Sequence, residues 1–430
     1  MIDREQEQDL RGIIKAWVSE RCDPEDLEQA ERMADVIAQT AGAAAAEAML
    51  PRLAGRERGP GGPVTCSCGR KAKFVDYRSR GVGTLYGVVE VERAYYHCKR
   101  CRKGDLPWDA QQGLNERLWT PRVKGLVAQV GAQLSYQQSV DLLQATLGFK
   151  IEDSSADELM LEVGGRLRAQ QNALMAEIER GEIVPFVARA PQRLYVSMDG
   201  TSAHTGGSWH EIKTGVVYEG RPDKDGKDLA HGARYVAAQE PAQSFGSRLY
   251  MAAAQAGVQV ATETVVIGDG AEWIWNLADH HYLGATQIVD IWHACEHIHA
   301  LARECYGEGD EMGKRWAQRH CRGLKEHGPQ KLLRALKRMQ PKDDGQREAI
   351  RREKGYFERN AARMAYPRFR RQGMMIGSGP VEAACKVVVG QRLKQAGMRW
   401  SEAGADAVLA ARAAQLSGQP ELIYQAARAA

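Results

Sequence analysis

Residues 264–270 read Thr-Val-Val-Ile-Gly-Asp-Gly. The run from Thr264 to Ile267 is short, apolar and β-branched, as a strand buried on both faces requires. The glycines on either side of Asp269 allow a sharp turn and a close approach of backbone to a ligand. An acid is therefore expected at the end of a buried strand. The same design occurs upstream, where the apolar run 194–198 is followed by Asp199 and Gly200. Around these two points the chain alternates. Strands are expected at 194–198, 212–218 and 235–238, a helix at 247–256, a strand at 264–267, a helix at 271–278 and a strand at 287–291. Three strands followed by helix, strand, helix, strand predict an α/β domain.

A third acid belongs with the first two. In Gly377-Ser378-Gly379-Pro380-Val381-Glu382, flexible glycines precede a proline suited to the first helical position. Glu382 then falls in the first turn of a helix over 380–394. Three hard carboxylates brought together from two strand ends and a helix suit two Mg²⁺ ions about 3.5–4 Å apart, the arrangement of two-metal phosphoryl transfer. Each acid alone has an ordinary explanation. Asp-Gly is a common turn, and a glutamate in a first helical turn is favoured by the helix dipole. Their joint placement around one sheet gives the metal reading its weight.

The remaining chain divides by composition. At 430 residues, two or three domains are expected. Residues 1–55 read as helices ending in an alanine-rich stretch, and Gly/Pro/Arg-rich 55–63 reads as a linker. Residues 64–110 read as a β module, and 118–180 as helices with a possible helix-turn-helix for DNA, plain packing being the alternative. The catalytic core spans 191–292 and 373–400, interrupted by a basic helical insertion, 293–372. A C-terminal helical region, 401–430, contains an amphipathic helix over 402–416.

Nine cysteines without a disulfide pattern direct attention to spacing. Cys66-x-Cys68 and Cys98-x-x-Cys101 give four thiolates on two turns, a zinc-ribbon-like set for structural Zn²⁺. The short first pair leaves room for His97 or a water in the shell. Arg70, Lys71, Lys73, Arg78, Arg80, Lys99, Arg100, Arg102 and Lys103 surround it. Cys22, Cys295, Cys305, Cys321 and Cys385 read as buried small hydrophobes. Gly81, Gly83 and Gly87 lack the spacing of a nucleotide loop and read as a series of β-turns.

The net charge of +4 hides an asymmetry. Residues 1–50 carry 12 acidic and 5 basic side chains, whereas 310–371 carry 19 basic and 8 acidic, a balance that suits a polyanion or a solvated helical hairpin. No apolar run approaches the roughly 20 residues of a membrane span. The acidic first ten residues are not a signal peptide, so a cytoplasmic location is expected.

The stretches SMDGTSAH (197–204), VVIGDGAEWIW (265–275), IVDIWHACEHI (288–298) and GSGPVEAACKVVVGQRLKQAGMRWS (377–401) resemble bacterial insertion-sequence transposases of the ISKra type, relatives of the ISL-type and Mutator-like DDE enzymes. The resemblance covers most of the chain. It implies an RNase H-like catalytic domain with a helical insertion, preceded by helical and zinc-ribbon-like modules. It also implies Asp199, Asp269 and Glu382 as the Mg²⁺ triad, and His293 of the Asp290-x-x-His293 motif as a further active-site residue that contacts a phosphate or orients a ligand. DNA, both element terminal repeats and target, would be the partner, in a homo-oligomer within a bacterial, nucleoid-associated setting. Lys386, Arg392, Lys394 and Arg399 follow Glu382 as candidate phosphate contacts. Trp400 suits stacking on a base or burial.

Two other functions compete. A transposase-derived DNA-binding protein without chemistry would share most of these features. A zinc peptidase would use His293-x-x-Glu296-His297 as an inverted zinc motif, but it leaves the Asp-Gly strand ends unexplained.

Overall fold

The structure is a computed structural model that describes residues 2–54, 61–114, 118–222 and 228–428. Most of the expected linker, 55–60, lies outside the described residues. The chain divides into two units. One comprises residues 1–124, 140–152 and 428–430, and the other 125–139 and 153–427.

The first unit begins with helices α1 (Arg4–Arg21) and α2 (Leu27–Ala54). Asp3 and Gln6 close a reciprocal capping box that fixes the start of α1. No side chain of either helix is buried. Strands β1 (Val64–Thr65), β2 (Lys71–Thr84), β3 (Gly87–His97) and β4 (Gly104–Asp105) form an antiparallel sheet in sequence order, followed by the short helix α3 (Pro107–Gln111). The glycine series is not a run of turns. Gly81 and Gly83 lie inside β2, and only Gly87, at φ +114°, borders the two-residue hairpin turn between Thr84 and its partner Gly87. Gly83 is required by contact, since a Cβ there would meet the Trp119 indole at 2.3 Å. Helices α4 (Pro121–Gly131) and α5 (Tyr136–Leu147) are divided between the units.

The second unit is built on strands β5 (Arg193–Thr205), β6 (Ser208–Pro222), β7 (Asp228–Ala238), β8 (Glu263–Gly268) and β9 (Thr286–Val289) in the spatial order β7-β6-β5-β8-β9. The first three are antiparallel; β8 and β9 add in parallel to β5. Val265, Val266 and Ile267 are fully buried, as the β-branched run predicts. Helix α6 (Asp153–Glu179) precedes the sheet. Helices α7 (Ala242–Gln255) and α8 (Glu272–His281) are the crossovers within it, each returning the chain for a parallel strand.

After β9 come five α-helices, α9 (Ile291–Tyr306), α10 (Glu311–His327), α11 (Gln330–Arg338), α12 (Asp344–Arg359) and α13 (Tyr366–Arg371), with a 3₁₀ turn, Ala361–Met364, before the last. The helix expected over 380–394 is broken into α14 (Gly379–Ala384), a π-helical turn Cys385–Gly390 and α15 (Gln391–Leu393). Helices α16 (Glu402–Leu416) and α17 (Glu421–Arg428) end the chain.

Helix α16, expected as amphipathic, is buried along most of its length. Ala405 and every residue from Ala407 to Ala414 are buried. Small side chains let it lie flush against α6, where a Cβ on Gly164 would meet the Ala407 carbonyl at 2.5 Å. Arg168 of α6 pairs with Asp406 at 2.8 Å, and Arg412 spends its guanidinium on the carbonyls of Val387 and Ala132.

Candidate functional site

The register of β5 and β8 brings the first two acids together. Their parallel pairing ends at Ser197 opposite Ile267, and Asp199 and Asp269 each stand two residues further on. Asp269 follows the end of β8, as its sequence predicts. Asp199 does not terminate its strand. Pairing with β6 carries β5 on to Thr205, with Asp199 opposite Thr214. The open space at Asp199 is therefore on the β8 side, where the partner strand has turned away.

Each carboxylate is held locally. Asp199 Oδ1 accepts from the Gly200 amide at 2.7 Å, and Oδ2 faces the Cys385 thiol at 3.6 Å. Asp269 Oδ1 accepts from the Ala271 amide at 2.8 Å across Gly270, whose φ of +104° favours glycine. Glu382 is exposed in α14, with Pro380 in the first turn. Burial raises the proton affinity of Asp199, and the neighbouring Asp269 adds to the effect. Glu382, although exposed, is raised by partial desolvation of its carboxyl, reinforced by Asp290, Glu296 and Asp199, whereas His293 acts the other way on both acids. Three acids thus share one electrostatic neighbourhood with His293, which lies in the first turn of α9 with Nδ1 3.2 Å from Glu296.

Asp290 ties these elements together. It is 1% exposed. Its amide donates to the Gly268 carbonyl at 2.8 Å, and its Oδ1 caps α9 by accepting from the amides of Trp292 at 2.5 Å and His293 at 3.3 Å. Its Oδ2 accepts from the amide and hydroxyl of Ser378, just before α14, with the amide at 2.6 Å. The Asp-x-x-His spacing places the residue but carries no sign of the Ser378 contact. Tyr356 escaped the sequence reading, in which Cys385 is only a buried small hydrophobe. Cys385 is half-buried, and burial and Asp199 push its thiol up to about 12, so it faces Asp199 as a neutral thiol.

His297 does not share a ligand set with His293 and Glu296. Its Nδ1 lies 2.6 Å from Glu353, on α12. Among the described residues, only the four cysteines gather three or more potential metal-ligand atoms within 4.8 Å of one another.

Of the basic residues after Glu382, Lys386, Lys394 and Arg399 are exposed, and Lys394 bonds the Thr201 hydroxyl. Arg392 is not on the surface. It is fully buried, donates to the Gly131 carbonyl at 2.9 Å and lies against the rings of Tyr136 and Trp400 at 4.9 and 4.6 Å. Trp400 is correspondingly committed to packing, with its indole N–H on the Leu393 carbonyl.

In the first unit the cysteines form a cluster. Cys66 and Cys101 sulfurs are 3.5 Å apart, and those of Cys68 and Cys98 are 3.7 Å apart. These distances are too long for disulfides at about 2.05 Å. They match the roughly 3.8 Å edge of a tetrahedron with metal–sulfur bonds of about 2.3 Å. Two knuckles present the thiols. Gly69 and Arg102, both at positive φ, follow the second cysteine of each pair, and the amides of Gly69 and Arg102 return to the carbonyls of Cys66 and Cys98. The Cys101 backbone amide chiefly lowers the Cys98 thiol to about 6, and backbone donation at Cys68 chiefly lowers Cys66. Cys101 is pushed to about 11, with the Cys66 sulfur and burial outweighing its own backbone contact. Four thiols that share charge in this way could hold a metal such as zinc. Four sulfurs complete the set, with no need for His97.

No helix among the described residues is long and apolar enough to cross a membrane. No protein of curated function matches the chain. Residues 68–422, which take in Cys68, Cys98 and Cys101 of the cysteine cluster, the mixed sheet and all three carboxylates, match one family, and the chain belongs to the uncharacterised protein family UPF0236.

Proposed function

We propose that this chain is a DDE transposase of the ISKra type, whose mixed sheet and α14 form an RNase H-like core that cuts and joins DNA at the ends of an insertion sequence. The observation that carries the reading is the strand register. Asp199 and Asp269 follow the last parallel pair, Ser197 and Ile267, by two residues each, and Glu382 joins them closely enough for Asp199 to raise its proton affinity.

Asp199 and Glu382, whose ionisation is opposed by desolvation and by neighbouring acids, are groups that divalent cations relieve. Asp199, Asp269 and Glu382 would hold two Mg²⁺ ions, whose hard preference for oxygen they satisfy. Mg²⁺ shares its shell with water and substrate phosphates, so the three carboxylates need supply only part of it. When bound, the ions would supply an activated hydroxyl and counter-charge for the leaving oxygen.

The chain itself would position. Asp290 holds the starts of α9 and α14 at fixed distance from the end of β8, and His293 offers its ring to a phosphate oxygen. Lys386, Lys394 and Arg399 would meet backbone phosphates of the terminal repeats or target, and the basic helices between β9 and α14 would extend that footprint. Water would cleave one strand, and the freed 3′ hydroxyl would attack target DNA in line, without a covalent protein intermediate. The cysteine cluster would hold structural Zn²⁺, and the active assembly would be a homo-oligomer.

Asp199→Ala, Asp269→Ala and Glu382→Ala should each abolish Mg²⁺-dependent cleavage of element ends and leave DNA binding intact. Full cleavage by all three would overturn the proposal.

A further inference from the structure

The helices between β9 and α14 send one side chain into the Asp269 turn. Tyr356, on α12, donates its hydroxyl to the Asp269 main-chain carbonyl at 2.8 Å. Its side chain fills the space beside the next residue: a Cβ on Gly270 would lie 2.7–3.0 Å from the tyrosine ring edge and its hydroxyl oxygen. The glycine is thus required by backbone angle and by the tyrosine together.

The tyrosine is itself braced. His297 stacks on its ring at 3.9 Å with 16° between the planes. His297 Nδ1 is held by Glu353 Oε2 at 2.6 Å, and Glu353, 2% exposed, takes Arg352 Nε on its other oxygen at 2.8 Å. Two adjacent helices, α9 and α12, therefore converge on one peptide group. That peptide belongs to the residue whose Oδ1 is anchored on the Ala271 amide across the same turn. Moving the Asp269 carbonyl rotates the turn, and the carboxylate moves with it.

We infer that Tyr356 is a positioning residue for Asp269, fixing the direction of its carboxylate through the backbone, with His297 and Glu353 holding the ring in place. The inference rests on the reading of Asp269 as a metal ligand. Residues that orient metal ligands in this way typically govern metal affinity by 10- to 100-fold when removed. Losing one hydrogen bond while the ring remains should fall at the lower end.

The test is Tyr356→Phe in the full chain, which keeps the ring and its stacking and removes the hydroxyl. Mn²⁺ affinity, read from the electron paramagnetic resonance of free Mn²⁺, should weaken by about tenfold. The Mg²⁺ concentration for half-maximal cleavage should rise by the same factor, and the rate at saturating metal should change less than about twofold. Glu353→Gln, which leaves the tyrosine in place, should shift Mn²⁺ affinity in the same direction by a smaller factor, and it carries the comparison if Tyr356→Phe does not fold. A folded variant with lowered melting temperature and wild-type Mn²⁺ affinity would overturn the inference and make Tyr356 a packing residue. Asp269→Ala separates the two levels. If it binds Mn²⁺ like the wild type, the reading of the site falls; if it loses Mn²⁺ and Tyr356→Phe does not, only the role of Tyr356 falls.

Discussion

Asp290 and Ser378 are 88 residues apart in sequence, yet one buried carboxylate oxygen of Asp290 accepts both the amide and the hydroxyl of Ser378. The other oxygen caps α9. A single side chain thus sets the spacing between the helix that carries His293 and the helix that carries Glu382. Asp290→Ala should destabilise the protein by about 2–4 kcal/mol, from a lost cap and newly unpaired buried donors. Asp290→Asn keeps the cap but turns an amide toward two donors, so denaturant unfolding should place it between alanine and wild type. Equal stability for all three proteins would show that the contact is incidental.

The cysteine cluster predicts one tightly held metal per chain. Elemental analysis of the purified protein should find about one zinc, and Cys98→Ser should release it. Its loss should expose β2 and β3 to protease cleavage, because a module of this size has little other core. A chain that is metal-free as isolated and protease-resistant through this region would contradict the prediction.

Raised carboxyl affinities have a definite sign. Asp199 and Glu382 bind protons more strongly folded than unfolded, Asp199 chiefly through burial and then Asp269, and Glu382 chiefly through partial desolvation and then Asp290. Between the ordinary carboxylate range and the raised values, the folded state holds more protons, so stability falls as pH rises through that window. In Mg²⁺-free buffer, Asp199→Asn and Glu382→Gln should therefore raise the melting temperature at neutral pH and flatten its decline above pH 4. Added Mg²⁺ should stabilise the wild type more than either variant. A wild-type melting temperature that climbs through the same window would refute the sign.

The basic residues after Glu382 separate by burial. Lys386→Ala and Arg399→Ala should weaken DNA binding at all sequences, each reducing the salt-dependence slope by about 0.9 with little change in stability. Arg392→Ala should do the reverse. It removes a guanidinium packed between Tyr136 and Trp400 and leaves the Gly131 carbonyl without its donor, which should cost about 2–4 kcal/mol, measured by urea unfolding, with the salt slope unchanged in the folded fraction.

Local patterns announced the acids, the cysteines and the strands, because each depends on neighbours within a few residues. A β-branched run followed by Gly-Asp-Gly can be read as a strand end wherever it occurs. Burial could not be read in the same way. The alanine-rich stretches of α2 and α16 look alike in sequence, but no side chain of α2 is buried, whereas α16 is buried along most of its length. Small alanine side chains fit an exposed face and a tightly packed one equally well, so the few polar residues of α16 did not declare its surroundings. The strand ending expected at Asp199 also failed, because whether β5 stops there depends on β6 as its partner.

The sequence by itself determined the chemistry on offer: three carboxylates at turns and a helix start, four paired thiols and a basic helical stretch. These follow from residue type and short spacing, which the chain carries wherever it is placed. Only the tertiary structure decided which groups meet. The register of β5 on β8 put Asp199 beside Asp269, Asp290 reached Ser378, Tyr356 reached the Asp269 carbonyl, and Arg392 was withdrawn into the core. Those outcomes join residues dozens to hundreds of positions apart, and they are selected by how whole faces pack rather than by any local preference.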